Sequence, residues 1–252
     1  LGFDHVAIAA GAGRPTIIPL KNNLARGIRK ASDFLMSLQL TGAYKRSAMA
    51  NLQVRLPAVV IGGGLTAIDT ATELIAYYIV QVEKTAERID ALIAEKSEAA
   101  VLAMFDEEER EFVAEQRLHA EAVREERARA AREGHAPNFL PLIDGWGGVS
   151  LVYRKRVIDS PAYRLNHEEV IKSLEEGVRY IENMAPVEAV VDEKNQVKAM
   201  IFERQILDGG KWKNSGEKVE IPARSVCVAA GTSPNVTYEK EKPGSFGFDK
   251  WK

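Results

Sequence analysis

The sequence has few of the features that would place the chain in a membrane, in an oxidising compartment or on nucleic acid. Its one cysteine, Cys227, excludes an intrachain disulfide and a CxxC redox pair. No apolar run approaches the roughly 18–20 residues that span a bilayer. The net charge is only −2, which gives no reason to expect nucleic acid or an anionic membrane as a partner.

Other absent features exclude some kinds of functional site. Cys227 lies in the apolar run VCVAA, so we expect a core residue and not a reactive thiol. The four histidines show no metal-ligand spacing, and we predict no metal site. The sequence shows no charged-then-apolar leader, so the expected compartment is the cytoplasm.

Glycine and proline are both absent from residues 65–133, a stretch of about 70 residues in which average usage would supply around eight. The segment is rich in Ala, Glu, Arg and Leu, which are good helix formers. Asp106 followed by Glu109 is typical of a helix start. The pattern predicts two long helices folded back as a hairpin that ends at Gly134.

The rest of the chain alternates between strand and helix patterns. It predicts buried strands at 4–10, 58–61 and 149–153, a helix over 25–40, and a helix that is capped by Asn166 and ends at Gly177. Short strands at 178–181, 186–191, 197–205, 218–221 and 225–230 follow, with a hairpin loop at 208–217. The predicted fold is α/β, a Rossmann-like parallel sheet with a β meander. We expect one domain over 1–252, with a helical-hairpin insertion in the first crossover at about 78–146.

A glycine-rich turn follows the second predicted strand and opens a helix directly. Its residues match G-x-G-x-x-A, the loop that places a pyrophosphate on a helix N-terminus: Gly62, Gly63, Gly64, Leu65, Thr66 and Ala67. In that motif the first glycine permits the turn, the second leaves room for the phosphates, and the small last residue lets the helix pack on the strand. The alternative is a glycine-rich turn that binds nothing.

A basic triplet, Arg154-Lys155-Arg156, ends the next strand of the unit. NAD sites place Asp or Glu at this position, whereas Arg there suits the 2′-phosphate of NADPH. The triplet therefore favours NADPH over NADH, and the alternative is a solvated basic turn. It lies nearly 90 residues beyond the glycine loop and not the usual 20 or so, which the helical hairpin explains.

These motifs, in this order, resemble the FAD-dependent pyridine nucleotide oxidoreductases, and most closely the glutamate synthase small-subunit branch. The segments are VAIAAGAGRP at 6–15, IGGGLTAID at 61–69, LVYRKR at 151–156, SPAYRLNHEEV at 160–170 and VCVAAGTSPN at 226–235. Leu65 departs from the branch, which often has Asp at that position, and the hairpin has no counterpart in the common pattern.

The resemblance implies that the two echoing strands, at 6–15 and 226–235, are junctions between an NADPH domain and an FAD domain. Ala230 and Gly231 in the second junction would then contact the dinucleotide. The FAD-binding half of the parent protein would lie outside this chain, so we expect a fragment that binds NADPH without turnover. No catalytic residue is assigned, because the hydride chemistry belongs to the cofactors. The alternative is an interaction module in which the hairpin docks a partner protein or a second copy.

Overall fold

A computed structural model describes residues 2–7 and 11–247. The strands are β1 Arg14–Pro15, β2 Ile28–Lys30, β3 Ala58–Ile61, β4 Val149–Val152, β5 Arg179–Ile181, β6 Met184–Val191, β7 Val197–Asp208, β8 Lys211–Pro222, β9 Ser225–Val228 and β10 Thr232–Ser233. The helices are α1 Ala31–Leu40, α2 Leu65–Lys96, α3 Glu98–Leu102, α4 Glu107–Glu133, α5 Leu140–Gly145, α6 Pro161–Glu175 and α7 Thr237–Glu241, with a 3₁₀ turn at Val157–Asp159.

Five parallel strands form the central sheet in the order β2-β9-β3-β4-β5. Its strands are short and apolar because both faces are covered. Along β3, Ala58 and Val60 point to the helical side, where α1, α2 and α6 pack. Val59 and Ile61 point to the opposite side and pack against the antiparallel sheet β6-β7-β8. The α/β class, the parallel sheet and the β meander that the sequence predicts are confirmed.

The helical insertion joins β3 to β4 and consists mainly of α2 and α4. Helix α4 starts with a reciprocal capping box, in which Asp106 Oδ1 accepts from the Glu109 N–H (2.8 Å) and Glu109 Oε2 accepts from the Asp106 N–H (3.0 Å). It ends at Gly134, whose φ of 75° is left-handed. Both predicted ends of the second long helix are therefore confirmed. The predicted hairpin of two long helices is confirmed as well, and the short helix α3 lies in its turn.

The hairpin packs against its own chain along much of its length. On one side, the middle of α2 covers the segment 43–54, and the side chains of Tyr77, Gln81 and Lys84 form hydrogen bonds with the backbone of this segment. On another side, Glu115 of α4 binds Arg55 and Arg224 at 2.8 and 2.7 Å, beside the amino ends of the sheet strands. The hairpin is therefore part of the globule and runs away from the carboxyl edge of the sheet.

Three of the predicted elements are wrong in extent. Residues 28–30, predicted as helix, form β2 because they pair with β9, and this pairing outweighs the helical spacing. The loop predicted at 208–217 is only the two-residue turn Gly209-Gly210, with φ of 58° and 76°, so β7 and β8 are longer than expected. Helix α6 begins at Pro161, capped by Ser160, and the expected cap Asn166 is a kink inside it.

The first predicted strand, at 4–10, is wrong where it can be examined. Residues 4–7 are exposed and belong to no strand, and Val6 is 83% exposed. Residues 8–10 lie outside the described residues. Further along the same segment, β1 pairs antiparallel with β10, Arg14 opposite Ser233, and the Thr16 N–H donates to the Gly231 carbonyl at 2.9 Å. The two echoing segments of the sequence therefore meet side by side.

Candidate functional site

A cleft of about 630 Å³ opens at the carboxyl edge of the parallel sheet. The residues that immediately follow β2, β3, β4 and β9 line it, together with the start of β6 and the β1–β10 pair. In open parallel sheets this edge is where ligands bind, because helix N-termini and loops converge there. Seven of the eleven predicted binding residues lie in its lining: Gly62, Gly63, Gly64, Thr66, Arg154, Ala230 and Gly231.

Two of the glycines are required by close packing. A Cβ on Gly62 would overlap the carbonyl oxygen of Ala229, so β3 and β9 approach each other here as only glycine allows. A Cβ on Gly63 would overlap the ring of Tyr153. Gly62 is therefore needed for this approach and not for a left-handed turn, since its φ lies outside that region.

The third glycine differs from the other two. Gly64 is the N-cap of α2 with φ −97° and ψ 173°, a conformation that any residue adopts, and a Cβ there would meet nothing within 4 Å. Gly64 nevertheless lines the cleft. The absent side chain thus leaves open space directly above the helix N-terminus, which is where the motif places a pyrophosphate.

The start of α2 carries unused hydrogen-bond donors. Among the hydrogen bonds of the described residues, none is donated by the backbone N–H groups of residues 63–66. The first side-chain cap is missing as well, because the N-cap is glycine. Free amides and the positive end of the helix dipole make an anion site. The open space beside Gly64 and these unused donors are features that suit a bound anion.

Of the four predicted residues outside the lining, two belong to the same helix. Ala67 is fully buried and packs in the core beneath the glycine loop, which agrees with the packing role of the last motif position. Leu65 is partly buried against the same core. These two residues position the start of α2 and do not face the cleft.

The basic triplet divides into residues with different environments. Arg154 lines the cleft, but Lys155 and Arg156 do not. Arg156 is bound by Asp159, with Nε to Oδ2 at 2.8 Å and a terminal nitrogen to Oδ1 at 3.2 Å. This pairing lowers the pKa of the Asp159 carboxyl, to which Arg164 and Lys155 also contribute. Glu182 is a second carboxylate at this turn and accepts from the Val157 N–H.

One wall of the cleft escaped the sequence analysis. It includes Thr16 beside β1, Ser32 at the start of α1, and the residues from Met184 to Pro186 at the start of β6. The sequence did not identify Ser32 as a site residue because β2 was predicted as helix. No strand was therefore expected to end beside Ser32 at this edge of the sheet. Residues 229–232, which we call the return segment, belong to the second of the two echoing segments. The sequence identified them because 226–235 resembles 6–15.

The described residues supply neither a reactive thiol nor a metal cluster. Cys227 is buried in the sheet, and burial raises the pKa of its thiol to about 12, so it is inert. No group of three or more His, Cys, Asp or Glu side chains in residues 2–7 and 11–247 is arranged to hold a metal ion. No helix in the same ranges has the length and hydropathy needed to cross a membrane.

Comparison with known proteins finds related sequences and several similar structures. No family model matches the chain. The uncharacterized protein RP006 of Rickettsia prowazekii is 36% identical over 260 residues, which cover 98% of this chain and 34% of that protein. The chain therefore spans about a third of the length of this relative.

Among solved structures, FprA, a Mycobacterium tuberculosis oxidoreductase, matches with a TM-score of 0.51 at 16% identity, over 96% of this chain and 52% of FprA. The same values hold for FprA in complex with NADPH. A structure of an FAD-dependent pyridine nucleotide-disulphide oxidoreductase from Desulfovibrio vulgaris matches at a TM-score of 0.44 and 13% identity, over 94% of this chain and 38% of that one. The likeness to FprA shows that the chain has the Rossmann-like fold of such an oxidoreductase.

Proposed function

We propose that this chain is the NADPH-binding domain of a flavin-dependent oxidoreductase. The observation that carries the proposal is the cleft at the carboxyl edge of the sheet, where the glycine loop, Arg154 and the return segment Ala230-Gly231 meet. The pyrophosphate would lie over the free amides of residues 63–66, in the space that Gly64 leaves open. Arg154, which lines the cleft, favours the 2′-phosphate of NADPH over the free hydroxyl of NADH.

The parent protein would hold FAD in a half that is separate from this domain. Pairing of β1 with β10 supports this arrangement, since two junctions to a single neighbouring domain must lie together. The likeness of the ordered motifs to the glutamate synthase small-subunit branch belongs to the same proposal. When bound, NADPH supplies a hydride to the flavin. The residues of this chain bind and orient the dinucleotide, and we expect no turnover without the flavin half.

The alternative function is docking of a partner protein or a second copy through the helical hairpin. The inner faces of α2 and α4 are occupied by the segment 43–54 and by Arg55 and Arg224. A partner would therefore have to bind the charged outer faces, which are typical of solvated helices. For this reason we favour the dinucleotide function.

The substitution that tests the proposal is Gly64→Asp. Aspartate is a favourable N-cap, and a side chain at Gly64 meets open space, so the fold and its stability should persist. The carboxylate would face the phosphates, and this repulsion should lower NADPH affinity by on the order of 100-fold. Calorimetric titration of the purified chain with NADPH and, separately, with NADH measures both affinities.

Gly145→Asp is the matched control. It adds the same charge at another position with open space and an ordinary φ, outside the cleft, and should leave affinity unchanged. Binding of NADPH that survives Gly64→Asp would place the dinucleotide elsewhere. Failure of the unsubstituted chain to bind either nucleotide would contradict the proposal for this chain on its own.

A further inference from the structure

Part of the connection between α1 and β3 folds with its carbonyl groups inward. Two cationic side chains of α2, Lys84 and Arg88, donate to five of the eight backbone carbonyls of residues 43–50, which we call the carbonyl loop. The five carbonyls are those of Ala43, Lys45, Ala48, Met49 and Ala50. Lys84 and Arg88 are four residues apart, so both project from one face of the helix.

Lys84 joins the two ends of the carbonyl loop. Its ammonium donates to the Ala43 carbonyl at 2.6 Å and to the Ala50 carbonyl at 2.8 Å, and the Lys45 carbonyl lies at 3.4 Å. The loop ends therefore meet at a single nitrogen atom, and close ends are typical of compact surface loops. A primary ammonium has three N–H donors, so three carbonyls satisfy it in full.

The two cations are held by backbone carbonyls and not by acidic side chains. Within residues 2–7 and 11–247, neither Lys84 nor Arg88 forms an ion pair with a carboxylate, and Glu87 between them pairs with Arg46. Burial, and to a smaller extent the charge of Arg88, lower the pKa of the Lys84 ammonium. Lys84 is only 1% exposed, so its charge is enclosed by the loop.

The side chains of the carbonyl loop contribute little packing. Among its eight residues only Ala43 is buried, whereas Tyr44 is 49% exposed and Met49 is 88% exposed. The carbonyl contacts to the cations therefore hold the loop in place of a hydrophobic core. Converging backbone carbonyls are also the groups with which proteins bind small monovalent cations.

We propose that the carbonyl loop is a binding site for a primary ammonium group and that Lys84 supplies this ligand as part of the chain. The site lies outside the cleft and is independent of the dinucleotide function. If the carbonyls select a primary ammonium, removal of the Lys84 side chain should leave a site that a small alkylammonium ion from solution can occupy.

The experiment uses Lys84→Ala, which removes a group of the size of n-propylammonium. Its unfolding temperature is measured in n-propylammonium chloride and, at equal concentration, in tetramethylammonium chloride, which carries the same charge without an N–H donor. Propylammonium should raise the unfolding temperature in a saturable manner, by about 5 °C more than tetramethylammonium does. If Lys84→Ala is unfolded in dilute buffer, propylammonium should restore its helical circular dichroism and tetramethylammonium should not.

Lys84→Met is the matched control. It removes the same charge, but its side chain fills the space that Lys84→Ala leaves open. Lys84→Met should therefore be destabilised and should respond to propylammonium no more than to tetramethylammonium. The unsubstituted chain should show the same lack of preference, because its site is already filled. A propylammonium effect of equal size in all three chains would mean non-specific binding and would overturn the proposal.

A second measurement needs no variant. In the unsubstituted chain with nitrogen-15 in its lysines, the Lys84 ammonium protons should exchange with water at least about tenfold more slowly than those of exposed Lys45. Equal exchange rates would overturn the proposal, as would a Lys84→Ala variant that does not distinguish propylammonium from tetramethylammonium. Neither result would affect the dinucleotide function, which Gly64→Asp tests separately.

Discussion

The start and the middle of helix α2 differ in how their polar groups are hydrogen-bonded. At the N-terminal end, the amides of residues 63–66 donate to no acceptor in the described part of the chain, and the cap position carries no side chain. In the middle of the helix, buried Gln81 donates to the Val54 carbonyl and accepts from the Val54 N–H, and Tyr77 accepts from the Leu52 N–H. The helix is continuous from one environment to the other.

This difference distinguishes the residues expected to bind a ligand from the residues that stabilise the fold. Buried polar groups are costly when unpaired, so a protein pairs the ones whose work is structural. Donors left free in a cleft are satisfied by water or by a ligand, and these are the groups a dinucleotide would take. Substitutions in the middle of α2 should therefore change stability and leave NADPH affinity unchanged, and substitutions at Gly64 should do the reverse.

The largest effect on stability is expected at Lys84, which is 1% exposed. Its ammonium donates to the carbonyls of Ala43 at 2.6 Å and Ala50 at 2.8 Å, and burial lowers its pKa. Lys84→Met keeps the length of the side chain but leaves these carbonyls without a donor. The free energy of unfolding should fall by about 2–4 kcal/mol, measured by urea denaturation.

Lys45→Met is the control for Lys84, because Lys45 is exposed and its substitution should cost less than about 0.5 kcal/mol. NADPH affinity of folded Lys84→Met should equal that of the unsubstituted chain. A weaker NADPH affinity would contradict this distinction between stabilising and binding residues, since it would mean that the segment 43–54 influences the geometry of the cleft.

A second test uses acid. His119 of α4 is stacked on Trp146 with ring centres 4.0 Å apart, and its Nδ1 lies 2.7 Å from the Tyr78 hydroxyl. Burial lowers the pKa of His119 from 6.5 to about 4. Between these values the unfolded chain binds the extra proton and the folded chain does not, so stability falls as pH falls from 6.5 towards 4. The loss from this group should reach up to about 3 kcal/mol.

His119→Gln removes the titrating group and should flatten this part of the stability curve, measured by urea denaturation at pH 7, 5.5 and 4.5. His135→Gln is the control: His135 is exposed, and its pKa is raised by the Ala136 carbonyl and Glu133, so its removal should leave the acid sensitivity in place. An unchanged curve in His119→Gln would mean that this imidazole is solvated in the folded protein.

The sequence contained enough information for the sheet core, the hairpin and most of the cleft. β3 and β4 were predictable because strands buried on both faces are continuous apolar runs, and α4 because Asp106 and Glu109 form a local signal. Strand β2 could not be predicted, because its three residues are held in place by long-range pairing with β9. The ion pair between Arg156 and Asp159 could not be predicted either, because it depends on the 3₁₀ turn that brings these two residues, three positions apart, into contact.

The smallest effect is expected at the capping box of α4. Asp106→Ala removes the acceptor for the Glu109 N–H and should lower the free energy of unfolding by about 1 kcal/mol. Glu111→Ala, on the exposed face of the same helix, is the control and should change it by less than about 0.5 kcal/mol. Titration of Asp106→Ala with NADPH gives the sharper result. An unchanged affinity supports a hairpin whose role is structural, whereas a weakened one would show that the start of α4 is coupled to the glycine loop through α2.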